Sequence, residues 1–162
     1  MSAKKTVLFV CTGNVCRSPM AAGFFYDKLV QERMDGCVRV RSAGIWALEG
    51  QPASAYALQV MGEHGLDISA HRGRNLTQAD VDEADIILVM TKRHAEIINR
   101  DFANSVGKVR LLSEMAGEPY DIQDPYGGSL LEYRRTAAEL ADLIELGYGK
   151  IMEWLRCQSS AQ

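Results

Sequence analysis

Apolar residues are arranged along this chain in short solid runs separated by stretches with helical spacing. Val7-Leu8-Phe9-Val10 is apolar without alternation, the pattern of a strand covered on both faces. Residues 84–90 (ADIILVM) repeat that pattern, and residues 108–112 (KVRLL) read as a last, short strand. Residues 37–43 instead alternate apolar with polar, which predicts a strand near a sheet edge that ends at Gly44. Helical spacing predicts a helix over residues 20–33, with Ala21, Phe24, Phe25, Leu29 and Val30 inward and Asp35-Gly36 beyond its end. Further helices are expected from Pro52 to about residue 65, over residues 92–101 and over residues 129–155, with a short helical turn at 76–80. The last long helix turns Tyr133, Ala137, Leu140, Ile144 and Trp154 inward, and Gly147 and Gly149 weaken it locally. Residues 66–77 read as irregular, 113–128 as a loop and 158–162 as a frayed tail.

Strand and helix alternate throughout. The expected fold is therefore a three-layer α/β/α sandwich, a central four-stranded parallel sheet within one domain over residues 1–162. Ligands of such sheets bind at the carboxyl ends of the strands. The segments that follow Val10, Ser42, Met90 and Leu112 all emerge there.

Composition narrows the partners. With 47% hydrophobic residues, 24% charged residues and a net charge of −3, the chain has no basic excess for a phosphate backbone, so nucleic acid is not expected. No apolar run approaches a membrane span, and MSAKK with a few apolar residues after it lacks the core of a signal peptide, so a cytoplasmic location is expected. The four cysteines, Cys11, Cys16, Cys37 and Cys157, have neither C-x-x-C nor zinc spacing with the three histidines, so no metal is expected. Cys37 and Cys157 read as structural thiols, and His64 and His94 as surface residues.

The chemistry lies after the first strand. Cys11-Thr12-Gly13-Asn14-Val15-Cys16-Arg17 is a loop, and Ser18-Pro19 marks a helix start, with Ser18 placed to cap. A strand, a tight loop and a helix N-terminus offer inward N–H groups and a partial positive charge, which together make an anion site. A cysteine there, beside an arginine, is expected to ionise readily and act as a nucleophile. Arg17 supplies the planar fork that matches two phosphate oxygens. Asn14 tolerates the left-handed backbone that such a loop requires.

Cys11-x₅-Arg17-Ser18-Pro19 resembles the phosphate-binding loop of the low-molecular-weight protein tyrosine phosphatases, in their bacterial form, and the resemblance extends from Val7 to about Trp154. It implies hydrolysis of phosphotyrosine in a protein substrate through a phosphocysteine on Cys11. Thr12, Gly13, Asn14, Val15, Cys16 and Ser18 would line the phosphate and Arg17 would clamp it, with no cofactor; a monomer is the default expectation, since the sequence does not give the oligomeric state. Asp124-Pro125-Tyr126 resembles the family's general-acid motif, making Asp124 the proton donor to the leaving oxygen. Tyr126 and Trp46 would form the rim of a slot deep enough for phosphotyrosine, and Ser42 and His71 would brace Asn14. Ser18 can donate to the Cys11 sulfur, or cap the helix instead. Thr91 stands where animal members carry an acid, a bacterial-type feature.

Cys16 is either a packed small residue or a resolving thiol that traps oxidised Cys11 as a disulfide; the family often carries this pair. A pure redox sensor built on Cys11 and Cys16 would leave Arg17 and Asp124 without a task. The thioredoxin-coupled arsenate reductases of this fold use two further cysteines, expected near residues 80–95, where this chain has none. Protein arginine phosphatases are the nearer alternative. Their loop carries threonine at the place of Val15, and an apolar residue there favours an aromatic ester over a polar phosphoguanidinium.

Overall fold

Successive strand residues face opposite sides of a sheet, and here both sides are apolar. The computed structural model describes residues 3–160, apart from the side chains of 157–160. β1 (Lys5–Cys11) sends Val7, Phe9 and Cys11 into one buried cluster and Leu8 and Val10 into a second. β2 (Val38–Gly44), β3 (Ile86–Val89) and β4 (Val109–Leu111) complete a parallel sheet in the order β2-β1-β3-β4. The edge position of β2 explains its alternation, since Arg39 and Arg41 remain exposed.

Helices α1 (Arg17–Gln31), α2 (Ala55–Glu63), α5 (Leu112–Ala116) and α6 (Leu130–Ser160) cover the Phe9 face. Helices α3 (Gln78–Glu83) and α4 (Lys92–Asp101) cover the Leu8 face. This is the expected three-layer arrangement around a four-stranded sheet. Phe25 and Leu29 of α1 are fully buried, each contributing about 1.5–3 kcal/mol of hydrophobic stabilisation. Thr77 caps α3 and Thr91 caps α4, each through a side-chain oxygen that accepts a backbone N–H in the first turn.

Several expectations are corrected. α1 starts at Arg17, three residues early, with Cys16 as its cap residue and no side-chain cap; Ser18 lies inside the first turn, its hydroxyl engaged elsewhere. Val30 is exposed rather than turned into the core. Cys37 is exposed rather than packed. The long loop contains α5, whose Leu112 and Met115 join the main core. α6 continues to Ser160, past the predicted end and through most of the predicted tail. The side chain of Cys157 and all of residues 161–162 lie outside the described residues. Gly147 has a packing reason, since a Cβ there would lie 3.0 Å from the Met115 Cβ, where α6 crosses α5.

β1 sits where the strand order reverses, with β2 on one side and β3 on the other, so a crevice opens at its carboxyl end. Gly44, at the end of β2, shapes the wall of that crevice. A Cβ there would lie 2.6 Å from the Thr12 carbonyl oxygen and 3.0 Å from the Asn14 Cβ. Gly44→Ala should therefore lower the unfolding free energy by about 1–3 kcal/mol, read as a lower urea midpoint. An unchanged midpoint would show that the loop yields freely.

Candidate active site

The loop after β1 is wrapped so that its carbonyls point away from the crevice. The oxygens of Cys11, Thr12 and Gly13 accept from the N–H groups of Ile45, Trp46 and Leu48, each at 3.0 Å, and that of Val15 accepts from Ser54 at 2.9 Å. The Asn14 oxygen is met by the His71 Nε2 at 2.6 Å. With the acceptors used outside, the donors are left inside. The amides of Gly13, Asn14, Val15 and Cys16 donate to no protein acceptor among the described residues. Asn14 makes the bend with φ of 58°.

The Asn14 side chain then sets a proton order. The Arg74 N–H can only donate, so Asn14 Oδ1 faces it at 3.0 Å and the Nδ2 group faces Ser18 Oγ at 2.8 Å and Ser42 Oγ at 3.1 Å. Ser18 Oγ, having accepted from Asn14, keeps its own proton for the Cys11 Sγ, 2.9 Å away. Ser18, Ser42, His71 and Asn14 are thus brought together directly behind Cys11. Arg74 joins them, held by a bidentate pair with Asp80.

Arg17 is buried with its guanidinium fixed from several sides. Nη1 donates to the Ile122 carbonyl at 2.7 Å, while Nη2 lies 3.4 Å from both Thr12 Oγ1 and Asp124 Oδ2. The Nε–H is buried and has no protein partner among the described residues. Asp124 is half-exposed at the lip, where its Oδ1 accepts the Tyr126 N–H at 3.1 Å. The turn closes through Gly128 N–H to Pro125 O, with Gly127 at φ of 80°. Thr91, at the end of β3, contributes no charge here and caps α4.

Cys11, Thr12, Gly13, Val15, Cys16, Trp46, Leu48, Asp124 and Tyr126 enclose a cavity of about 190 Å³. Trp46 and Tyr126 stand exposed at its mouth, and Val15 is buried in its wall. Cys16 Sγ lies 3.1 Å from the Tyr133 hydroxyl and 3.4 Å from Ser54 Oγ. Burial pushes its thiol above the usual range despite those two hydrogen bonds, with the Asp124 and Cys11 charges acting in the same direction as burial.

His94 corrects the surface assignment. It is buried, and its Nε2 lies 2.9 Å from Thr12 Oγ1. Burial, and next the Arg17 guanidinium, lower its pKa to about 4. The available signal was positional: a residue in the first turn after β3, behind a capping threonine, projects at the carboxyl end of the sheet. Ile122, Tyr133 and Ser54 were also missed as site neighbours, the first because it acts only through its backbone. His64 is exposed, edge-on to Phe24 with ring centroids 5.1 Å apart.

A thiol at the floor of an amide-lined cradle, with a buried arginine and a carboxyl group at its lip, is an arrangement suited to phosphoryl transfer of the cysteine type. The model of the family described as low molecular weight phosphotyrosine protein phosphatase matches residues 6–159, and the chain belongs to that family. It is 43% identical over 134 residues to a probable low molecular weight protein-tyrosine-phosphatase, EpsP, of Ralstonia solanacearum, covering 83% of this chain and 87% of that one. It is 41% identical over 140 residues to a protein-arginine-phosphatase of Geobacillus stearothermophilus, covering 86% and 90%. The crystal structure of a low molecular weight protein tyrosine phosphatase from T. tengcongensis superposes with a TM-score of 0.86 at 40% identity, covering 91% of this chain and 99% of that one. No helix among the described residues is long and apolar enough to cross a membrane.

The buried histidines give a pH dependence of stability. Burial lowers the pKa of both His94 and His71 below 6.5 in the fold, so the unfolded chain takes up their protons first as pH falls. Their effect is absent above about pH 6.5 and destabilises progressively towards pH 4, by at most about 3 kcal/mol from His94. Urea unfolding across this range should show that decline. A His94→Gln variant should decline less steeply.

Proposed function

We propose that this chain hydrolyses phosphotyrosine in protein substrates through a phosphocysteine on Cys11. The observation that carries the reading is the combination of outward-bound loop carbonyls with the partnerless buried Nε–H of Arg17, aligned around one thiol. Three phosphate oxygens would be received by the loop amides and the Arg17 fork. The Cys11 sulfur attacks phosphorus in line while Asp124 gives its proton to the departing phenol oxygen. Asp124, now a carboxylate, then takes a proton from water as that water attacks the phosphocysteine, releasing inorganic phosphate and the Cys11 sulfur. The Ser18 hydroxyl stabilises that sulfur as it departs.

The cavity is of the order that holds one aromatic ring, with Trp46 and Tyr126 as its faces and Val15 as an apolar wall. A short phosphoserine would leave the phosphorus above the sulfur. Cys16 would act as the resolving thiol. A peroxide oxidises the Cys11 sulfur to a sulfenic acid, and the Cys16 thiol condenses with it to a disulfide and water.

Steady-state turnover of phosphotyrosine and phosphoarginine peptides tests the assignment. Cys11→Ser should abolish phosphotyrosine turnover, and Asp124→Ala should lower kcat by about 10²–10⁴-fold. Val15→Thr should move the ratio of the two activities towards phosphoarginine. Wild-type preference for phosphoarginine would overturn the tyrosine assignment while leaving nucleophile and acid in place.

A further inference from the structure

Arg17 has to hold one orientation while its neighbour changes charge. Asp124, 3.4 Å from Nη2, is an acid in one half of the proposed cycle and a carboxylate in the other, so its hold on the guanidinium alternates. Two partners of Arg17 keep a constant charge. One is the Ile122 carbonyl, and the other is Thr12 Oγ1, which in turn meets the Nε2 of a buried histidine on α4. We propose that His94 is a positioning residue: its unprotonated Nε2 accepts the Thr12 hydroxyl proton, which leaves the Thr12 oxygen as a fixed acceptor for Arg17 Nη2 and keeps the Nε–H edge of the guanidinium aimed at the phosphate.

The order of donation follows from the groups themselves. An arginine N–H can only donate, so Thr12 Oγ1 accepts from Nη2 and has its own proton to give. A neutral imidazole receives that proton at Nε2, which puts the ring hydrogen on Nδ1, a buried atom with no protein partner among the described residues. The backbone that carries the ring is anchored, because the His94 N–H donates to the Thr91 Oγ1 that caps α4. The charged groups acting on it are Arg17 from α1 and Asp121 and Asp124 from the long loop. The first of these disfavours an imidazolium, whose Nε2–H would reverse the direction of the Thr12 hydrogen bond. A valine at position 12 would keep the shape and lose the link. A serine would keep the link.

The relay rests on the phosphatase reading, and two measurements separate their failures. The first is the ring-nitrogen NMR spectrum of the wild-type chain near neutral pH, which needs no activity. His94 should show an unprotonated Nε2 and a protonated Nδ1; an Nε2–H form, or an average of both, overturns the relay. The second is turnover of an aryl phosphate together with the dissociation constant of vanadate. Thr12→Val and His94→Leu should each lower kcat/KM about tenfold to a hundredfold and weaken vanadate, with Thr12→Ser restoring most of the loss. The double variant Thr12→Val/His94→Leu should be no worse than the poorer single change, since both cut one chain. Losses that multiply in the double variant, or a Thr12→Val enzyme within twofold of wild type, overturn the relay. Should His94→Leu fail to fold, Thr12→Val and the ring spectrum decide. A wild-type chain that turns over no phosphate ester sinks the phosphatase reading and leaves the ring spectrum to judge the relay.

Discussion

The constraint on which the site depends is the disposal of the loop carbonyls. A tight loop at the end of a buried strand has as many acceptors as donors, and whichever set faces the crevice decides the sign of the ligand. Here the segment after β2 runs alongside and takes the oxygens of Cys11, Thr12, Gly13 and Val15, and His71 meets that of Asn14. The amides have only the crevice left. Anion affinity thus follows from backbone accounting before any side chain is considered, and Gly44 permits it by letting the two segments approach closely.

A second layer of order is carried by groups whose roles as donor or acceptor are unambiguous. A backbone N–H of Arg74 fixes the Asn14 amide, that amide fixes Ser18, and Ser18 points its proton at Cys11. The other side of the site is arranged the same way from Arg17. Each chain starts at a group that can only donate, so the orientation of every hydroxyl along it is decided by its neighbour. Polar networks of this kind specify one arrangement because a reversed member would leave a buried donor facing a donor.

The strands were legible because solid apolar runs and one alternating run have few other uses, and the edge position of β2 was written in Arg39 and Arg41. Helix α4 was legible to the residue, since Thr91 caps it and its periodicity is clear. The start of α1 was not, because Ser18-Pro19 imitates a cap while the serine serves the sulfur. α5 escaped notice because five residues are too few to show a period. Cys11, Arg17 and Asp124 stand out as residue types in a recognisable spacing. His94 did not, because a histidine's burial depends on what packs over it, and that cover comes from residues distant in sequence. Ile122 could not have been found at all from its side chain, since its carbonyl reaches Arg17 and its N–H reaches the Met90 carbonyl at 2.9 Å.

That double attachment of Ile122 bears on how the site meets its ligand. Together with Asp121, whose Oδ1 accepts the Lys92 N–H at 2.8 Å, it fastens the acid-bearing segment to the end of β3 and to the start of α4. Anchoring of this kind lowers the chain entropy that ligand binding has to remove, which favours the affinity of the rim contacts. On the proposed reading, substrate range can be altered at the exposed rings of Tyr126, on this anchored segment, and Trp46, on the segment after β2, without disturbing the atoms that would meet the phosphate.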